Sequence, residues 1–177
     1  MRKKVFLLSF FLLSLNILGC SKENNEQSEQ VHKTNVVQDT KKAPDFTLLS
    51  IDGKEINLSD YKGKIVILDF WATWCGPCRR GVPDLVSIQK SYGDKVAIIG
   101  ISLDDERTKN DIIPFMKEYG INYPVVYGTS DVVRNYGNIQ AIPTSFIIDQ
   151  EGNIIDKYIG LVSKEIYVGR IEALLGS

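Results

Sequence analysis

Two cysteines separated by two residues, Cys75 and Cys78, carry the most specific chemistry in the 177-residue sequence. Thiols at that spacing can close a disulfide within one helical turn and open it again. That suits two-electron exchange with another disulfide rather than the stapling of a long loop. A purely structural Cys75–Cys78 bond is the plain alternative. The only other cysteine is Cys20 and the one histidine is His32, so competing uses of the pair are short of ligands. Structural zinc takes four protein ligands. A c-type haem needs a histidine directly after the second cysteine, and Arg79 stands there. No metal and no cofactor are expected, and neither a Walker loop nor GxGxxG occurs.

The elements around the pair are built to activate it. Ile65 to Trp71 is a nearly unbroken apolar run, the pattern of a strand buried on both faces. From Cys78 onward Leu85, Ile88 and Tyr92 recur at helical spacing up to Gly93, a stop signal, with Pro83 expected to kink the helix. Pro77 suits a first helical turn, where its missing N–H would be unsatisfied anyway. Cys75 therefore sits at the positive end of the helix, and unpaired backbone N–H groups there stabilise a thiolate. Cys75 is predicted to attack and Cys78 to resolve the mixed disulfide. On the preceding strand Asp69 shares a face with Ile65 and Ile67, which places a carboxylate inside an apolar surface at considerable cost. It serves either proton chemistry or a structural pair, for which Lys95 is a candidate.

Further along, Phe46 to Leu49 and Glu55 to Leu58 flank the turn signal Asp52-Gly53 and predict a hairpin. Val96 to Ser102 reads as a second buried strand, and Lys109 to Tyr119 as a helix stopped by Gly120, with Pro114 disturbing its start. A short strand (Val125 to Tyr127), a short helix (Asp131 to Tyr136), a strand hairpin (Ser145 to Ile148 and Ile154 to Ile159) and a closing helix follow. The closing helix, Lys164 to Leu175, offers Ile166, Ile171, Leu174 and Leu175 for packing. This order predicts an α/β fold, a mixed sheet with helices on both faces.

The first 42 residues look unlike the rest. Arg2, Lys3 and Lys4 precede an apolar run from Val5 to Leu18, fourteen residues long. That is a signal-peptide layout, too short for a spanning helix of roughly 20 residues. Residues 1–19 are expected to be removed, leaving 18 basic and 22 acidic residues. Such a mildly acidic chain carries no basic stripe for nucleic acid. Ser21 to Lys42 is polar, with only Val31, Val36 and Val37 apolar, and cannot form a core. It reads as a tether able to span roughly 25 Å, with His32 as solvated surface. Ile17-Leu18-Gly19-Cys20 resembles a bacterial lipobox, which implies lipid on Cys20; an ordinary cleavage site nearby is the alternative. The domain proper is residues 43–177.

Trp74-Cys75-Gly76-Pro77-Cys78, preceded by Asp69-Phe70-Trp71-Ala72-Thr73, resembles the thioredoxin active-site motif. Ala43-Pro44-Asp45-Phe46, the hairpin and Leu58-Ser59-Asp60-Tyr61-Lys62-Gly63-Lys64 make the chain similar to the TlpA/ResA-like, AhpC/TSA and redoxin-like branch of that superfamily. The resemblance implies a thioredoxin-like fold with an N-terminal β-hairpin and a central insertion. It further implies an extracytoplasmic, membrane-anchored thiol–disulfide oxidoreductase. The clients would be disulfide-bearing or CxxC proteins such as apocytochrome c, the electron source a membrane thiol donor, and the enzyme a monomer. Ala141-Ile142-Pro143-Thr144 resembles the loop whose cis-proline faces the active site, which puts Pro143 beside Cys75 and lets the Ile142 backbone pair with an extended client. Trp74, Gly76 and Pro77 complete the implied client surface, although core packing would also account for Trp71 and Trp74. Asp69 matches the buried aspartate that exchanges a proton with the resolving cysteine.

One position departs from the pattern. Many members of this branch carry a glutamate three residues after the second cysteine, where this chain has Gly81. Either Asp69 takes over that proton transfer or the client preference differs. The Gly76-Pro77 dipeptide, shared with thioredoxin at about −270 mV, favours the reductase direction over a disulfide oxidase or isomerase. A lipid-anchored thiol peroxidase is the rival enzyme, but peroxiredoxins place threonine three residues before their reactive cysteine and Thr73 lies two before Cys75. A chaperone-like binding protein on the same scaffold would be expected to lose one cysteine, and both are present.

Overall fold

The computed structural model describes residues 41–176. The leader 1–19, Cys20, His32 and the tether up to residue 40 lie outside the described residues. In chain order the elements are β1 (Thr47–Leu49), β2 (Glu55–Asn57), β3 (Ile65–Trp71), α1 (Gly76–Tyr92), β4 (Val96–Ser102), α2 (Ile112–Tyr119), β5 (Val125–Tyr127), α3 (Ser130–Asn135), β6 (Thr144–Ile148), β7 (Ile154–Ile159) and α4 (Lys164–Leu175).

The two strands read as apolar runs, β3 and β4, are buried at every position and form the centre of a five-stranded sheet ordered β5-β4-β3-β6-β7. β3 pairs in parallel with β4 and antiparallel with β6, so the sheet is mixed. The hairpin β1-β2 is a separate two-stranded sheet. Between β4 and α3 the chain adds α2 and the short β5.

Strand alternation divides the core. Ile65, Ile67 and Trp71 pack with Val82, Leu85 and Ile88 of α1, Ile112 and Phe115 of α2, and Tyr167 and Ile171 of α4. Val66, Leu68 and Phe70 face the other side, against Leu48, Leu58, Val132 and Tyr136. Helices thus lie on both faces. Burying a large apolar side chain contributes ~1.5–3 kcal/mol, and most of the fully buried large side chains are supplied by β3 and β4.

α1 runs through Pro83 as one helix to Gly93. Two local expectations change. The helix predicted from Lys109 begins as a 3-10 turn, Lys109–Asp111, and becomes α-helical only at Ile112, with Pro114 in its first turn. On α4 Ile166 is half exposed, and Tyr167 takes the buried place four residues before Ile171. The i, i+4 spacing, not the more apolar residue, selects the packed face.

Candidate active site

β3 ends at Trp71, and a short turn, residues 72–74, delivers the chain to the N-terminus of α1. Cys75 is the N-cap residue of that helix in extended conformation (φ −79°, ψ 107°). Its Sγ accepts the Cys78 N–H at 3.2 Å, and its carbonyl accepts the Arg79 N–H at 3.1 Å. Pro77 occupies the first turn. The two cysteines are joined as a disulfide with their Cα atoms 5.3 Å apart. When the pair is reduced, the same N–H and the helix dipole face the Cys75 sulfur, an arrangement able to stabilise negative charge there.

Opposite the helix end, Cys75 Sγ lies 3.6 Å from the carbonyl oxygen of Ile142, and the Ile142–Pro143 peptide bond is cis. The loop the sequence placed beside Cys75 is therefore there. Pro143 continues into a small cleft lined also by Asp69, Cys78, Gly81, Leu161 and Tyr167. Its free volume of about 10 Å³ is on the scale of one water molecule.

Asp69 is 5% exposed, and its carboxyl has no hydrogen bond or ion pair to another of the described residues. Burial alone pushes its carboxyl up to about 7. The Lys95 alternative fails on geometry: Asp69 lies opposite Gly100, five residues along β4 from Lys95, which is about 16 Å at strand rise. Lys95 is exposed at the far end.

The sheet supplies the rest of the aspartate's surroundings. Asp69 also lies opposite Ser145 on β6, whose hydroxyl is 2.7 Å from the phenol oxygen of Tyr167. Burial first, and the Asp69 charge second, raise the phenol pKa values of Tyr123 and Tyr167. Both tyrosines therefore stay neutral beside the carboxyl. At Gly100 a Cβ would stand 2.9 Å from Trp71 Nε1, so the absence of a side chain lets the indole lie over β4.

Sequence reasoning missed Tyr167 and Leu161. The spacing Tyr167, Ile171, Leu174 contained the first signal, whereas nothing local marks Leu161. Its Cδ1 lies 3.1 Å from where a Gly81 Cβ would be, so Leu161 occupies the space a side chain at residue 81 would claim. The tryptophans separate cleanly: Trp71 is 1% exposed and packs on Phe115, whereas Trp74 is 62% exposed. Core packing explains the first and not the second. Gly76 and Pro77 are exposed next to it, and Ile142 is half-buried. Among the described residues no group of three or more histidine, cysteine or carboxylate side chains could hold a metal ion.

The model of the AhpC/TSA family matches residues 40–157. The chain belongs to the AhpC/TSA family. This AhpC/TSA-family protein is 35% identical over 134 residues to the thiol-disulfide oxidoreductase ResA of Bacillus cereus, a match covering 76% of this chain and 77% of ResA. The solved thiol:disulfide interchange protein of Chlorobium tepidum superposes with a TM-score of 0.69 at 34% identity, covering 77% of this chain and 97% of that one. The pneumococcal exposed lipoprotein thioredoxin of Streptococcus pneumoniae gives 0.63 at 33% identity, covering 74% and 100%. The protein is thus a thiol–disulfide oxidoreductase of thioredoxin-like fold.

Proposed function

We propose that this oxidoreductase works as a disulfide reductase outside the cytoplasm, held to a membrane by lipid on Cys20 once residues 1–19 are removed, with residues 20–42 as its tether. The observation that carries the redox reading is the position of Cys75 Sγ at the N-cap of α1, accepting the Cys78 N–H and facing the Ile142 carbonyl. A thiolate there is favoured by a charge-assisted N–H bond and by the helix end.

The cycle follows from that placement. The Cys75 thiolate attacks a client disulfide; one client sulfur leaves and takes a proton, and a mixed disulfide forms at Cys75. Cys78 passes its proton to the ionised Asp69 within their shared cleft and attacks Cys75 Sγ, releasing the second client sulfur. Two electrons have then moved to the client, the enzyme carries the Cys75–Cys78 disulfide and Asp69 holds a proton. A carboxyl poised near pH 7 can serve as base here and as acid when a membrane thiol donor returns two electrons. The client's extended segment lies across exposed Trp74, Gly76 and Pro77 and pairs with the backbone at Ile142 beside Pro143. Gly81 has no proton to offer, which leaves the transfer to Asp69.

The lipobox-like Ile17-Leu18-Gly19-Cys20 supports the anchor, as does the likeness to a protein described as an exposed lipoprotein. CxxC-bearing proteins such as apocytochrome c are the client class this arrangement suits. The thiol peroxidase reading is weakened because the Thr73 hydroxyl is given to Asp104. The test is the equilibrium potential of the Cys75/Cys78 pair in thiol–disulfide buffers, read by Trp74 fluorescence. A value at or below about −250 mV is expected for a reductase. A value above about −180 mV would overturn it in favour of an oxidase or isomerase.

A further inference from the structure

The turn that presents Cys75 is held from the neighbouring strand by a single carboxylate. Asp104 lies two residues beyond the end of β4. Its Oδ2 accepts the Thr73 N–H at 3.0 Å and the Ser102 hydroxyl at 2.8 Å, and its Oδ1 accepts the Thr73 hydroxyl at 2.6 Å. Ser102 Oγ in turn accepts the Asp104 N–H at 3.2 Å. Thr73 and Ser102 are buried, at 5% and 1% exposure. Around this clamp the Leu103 N–H donates to the Trp71 carbonyl at 2.7 Å, the Cys75 N–H to the Ala72 carbonyl at 3.1 Å, and Arg79 Nη1 to the Thr73 carbonyl at 3.2 Å. The backbone and the side chain of Thr73 are therefore both fixed, two residues before the redox pair.

We propose that Asp104 is a positioning residue for the reaction: by gripping Thr73 it holds Cys75 at the N-cap of α1, where the sulfur meets the Cys78 N–H. The inference rests on the reading of Cys75 as the attacking thiol. A carboxylate suits the task because it only accepts, and two oxygens can receive three donors in fixed directions. The hydrogen bond that stabilises a Cys75 thiolate weakens steeply with misalignment, so a turn free to shift would lose much of it. The charged groups around the pair are Asp104 itself, Asp69 in the cleft beneath Cys78, Arg79 stacked over Phe115 and Tyr119 with Glu118 3.9 Å from its guanidinium, and Arg80, whose Nη1 lies 3.9 Å from the Cβ position at Gly76. Removing the Asp104 charge alone would favour a nearby thiolate, whereas losing the grip disfavours it. The sign of the effect separates the two.

The experiment uses the reduced full chain and its Asp104→Asn, Thr73→Val and Thr73→Ser variants. The rate of iodoacetamide alkylation at Cys75 is followed by peptide mass spectrometry across pH, with urea unfolding of each variant alongside. Asparagine can still accept the Thr73 hydroxyl but turns an NH₂ toward the Thr73 N–H or the Ser102 hydroxyl. Valine removes one donor at unchanged charge. Positioning predicts that Asp104→Asn raises the alkylation midpoint by about one pH unit, a tenfold loss in thiolate formation. Thr73→Val should move it less in the same direction, and Thr73→Ser should restore it. A lowered midpoint in Asp104→Asn with none in Thr73→Val would show a charge effect and overturn the proposal. So would reduced unfolding midpoints with unchanged alkylation profiles in both variants. Preferential alkylation of Cys78 in the unsubstituted protein would overturn the reading of Cys75 as nucleophile, and the clamp's role with it.

Discussion

Replacing Asp69 by asparagine should remove a pH dependence from the stability of the oxidised protein. The Asp69 carboxyl is raised by burial from 3.8 to about 7 in the folded state. Between those values an unfolded chain releases the proton while the folded chain keeps it. Stability therefore declines as pH rises through the window and stays lowered above it. About three units at 1.36 kcal/mol each give roughly 4 kcal/mol between pH 4 and pH 8. Asparagine has the same shape and cannot ionise, so the variant shows no such decline; burying its amide adds only a constant offset of about 1–3 kcal/mol. Urea unfolding of the oxidised wild type and variant at pH 4, 6 and 8 measures the difference. The wild type should lose ground to Asp69→Asn by several kcal/mol across the series. The variant should also resolve a mixed disulfide about 10²-fold more slowly and lose the inflection near pH 7. Parallel stability curves would refute the argument that Asp69 is buried unpaired.

Two substitutions probe the packing and the rim. Gly100→Ala places a methyl 2.9 Å from Trp71 Nε1 and 3.3 Å from Tyr123, both buried, so it should cost about 1–3 kcal/mol in thermal or urea unfolding without altering the CxxC chemistry in thiol titration. Trp74→Ala should leave stability within about 0.5 kcal/mol, because the side chain is 62% exposed. It should also raise the client KM in a disulfide-reduction assay.

The residues most legible in the sequence are those whose fate is set locally. The apolar runs Ile65 to Trp71 and Val96 to Ser102 have no polar face to expose, and they became the buried centre of the sheet. Pro77 and Gly93 mark the two ends of α1 by backbone preference alone. Asp69 was conspicuous because its strand neighbours fix the face it shares. What stayed hidden depends on distant pairing. Asp104 carries no local signal after its strand; its grip on Thr73 spans 31 residues and exists only because β3 and β4 run parallel. Leu161 covers Gly81 across the fold, at a separation no periodicity reports. Ile166 was misjudged for a simpler reason, since a large apolar residue invites burial while its position on α4 faces outward.

If Cys75 attacks and Cys78 resolves, the two thiols separate in a trapping experiment. Cys78→Ser and Cys75→Ser variants would be mixed, after reduction, with a disulfide-bonded client and quenched with acid. A stable mixed disulfide between Cys75 and the client is expected in Cys78→Ser, and none in Cys75→Ser. A trapped complex through Cys78 alone would contradict it.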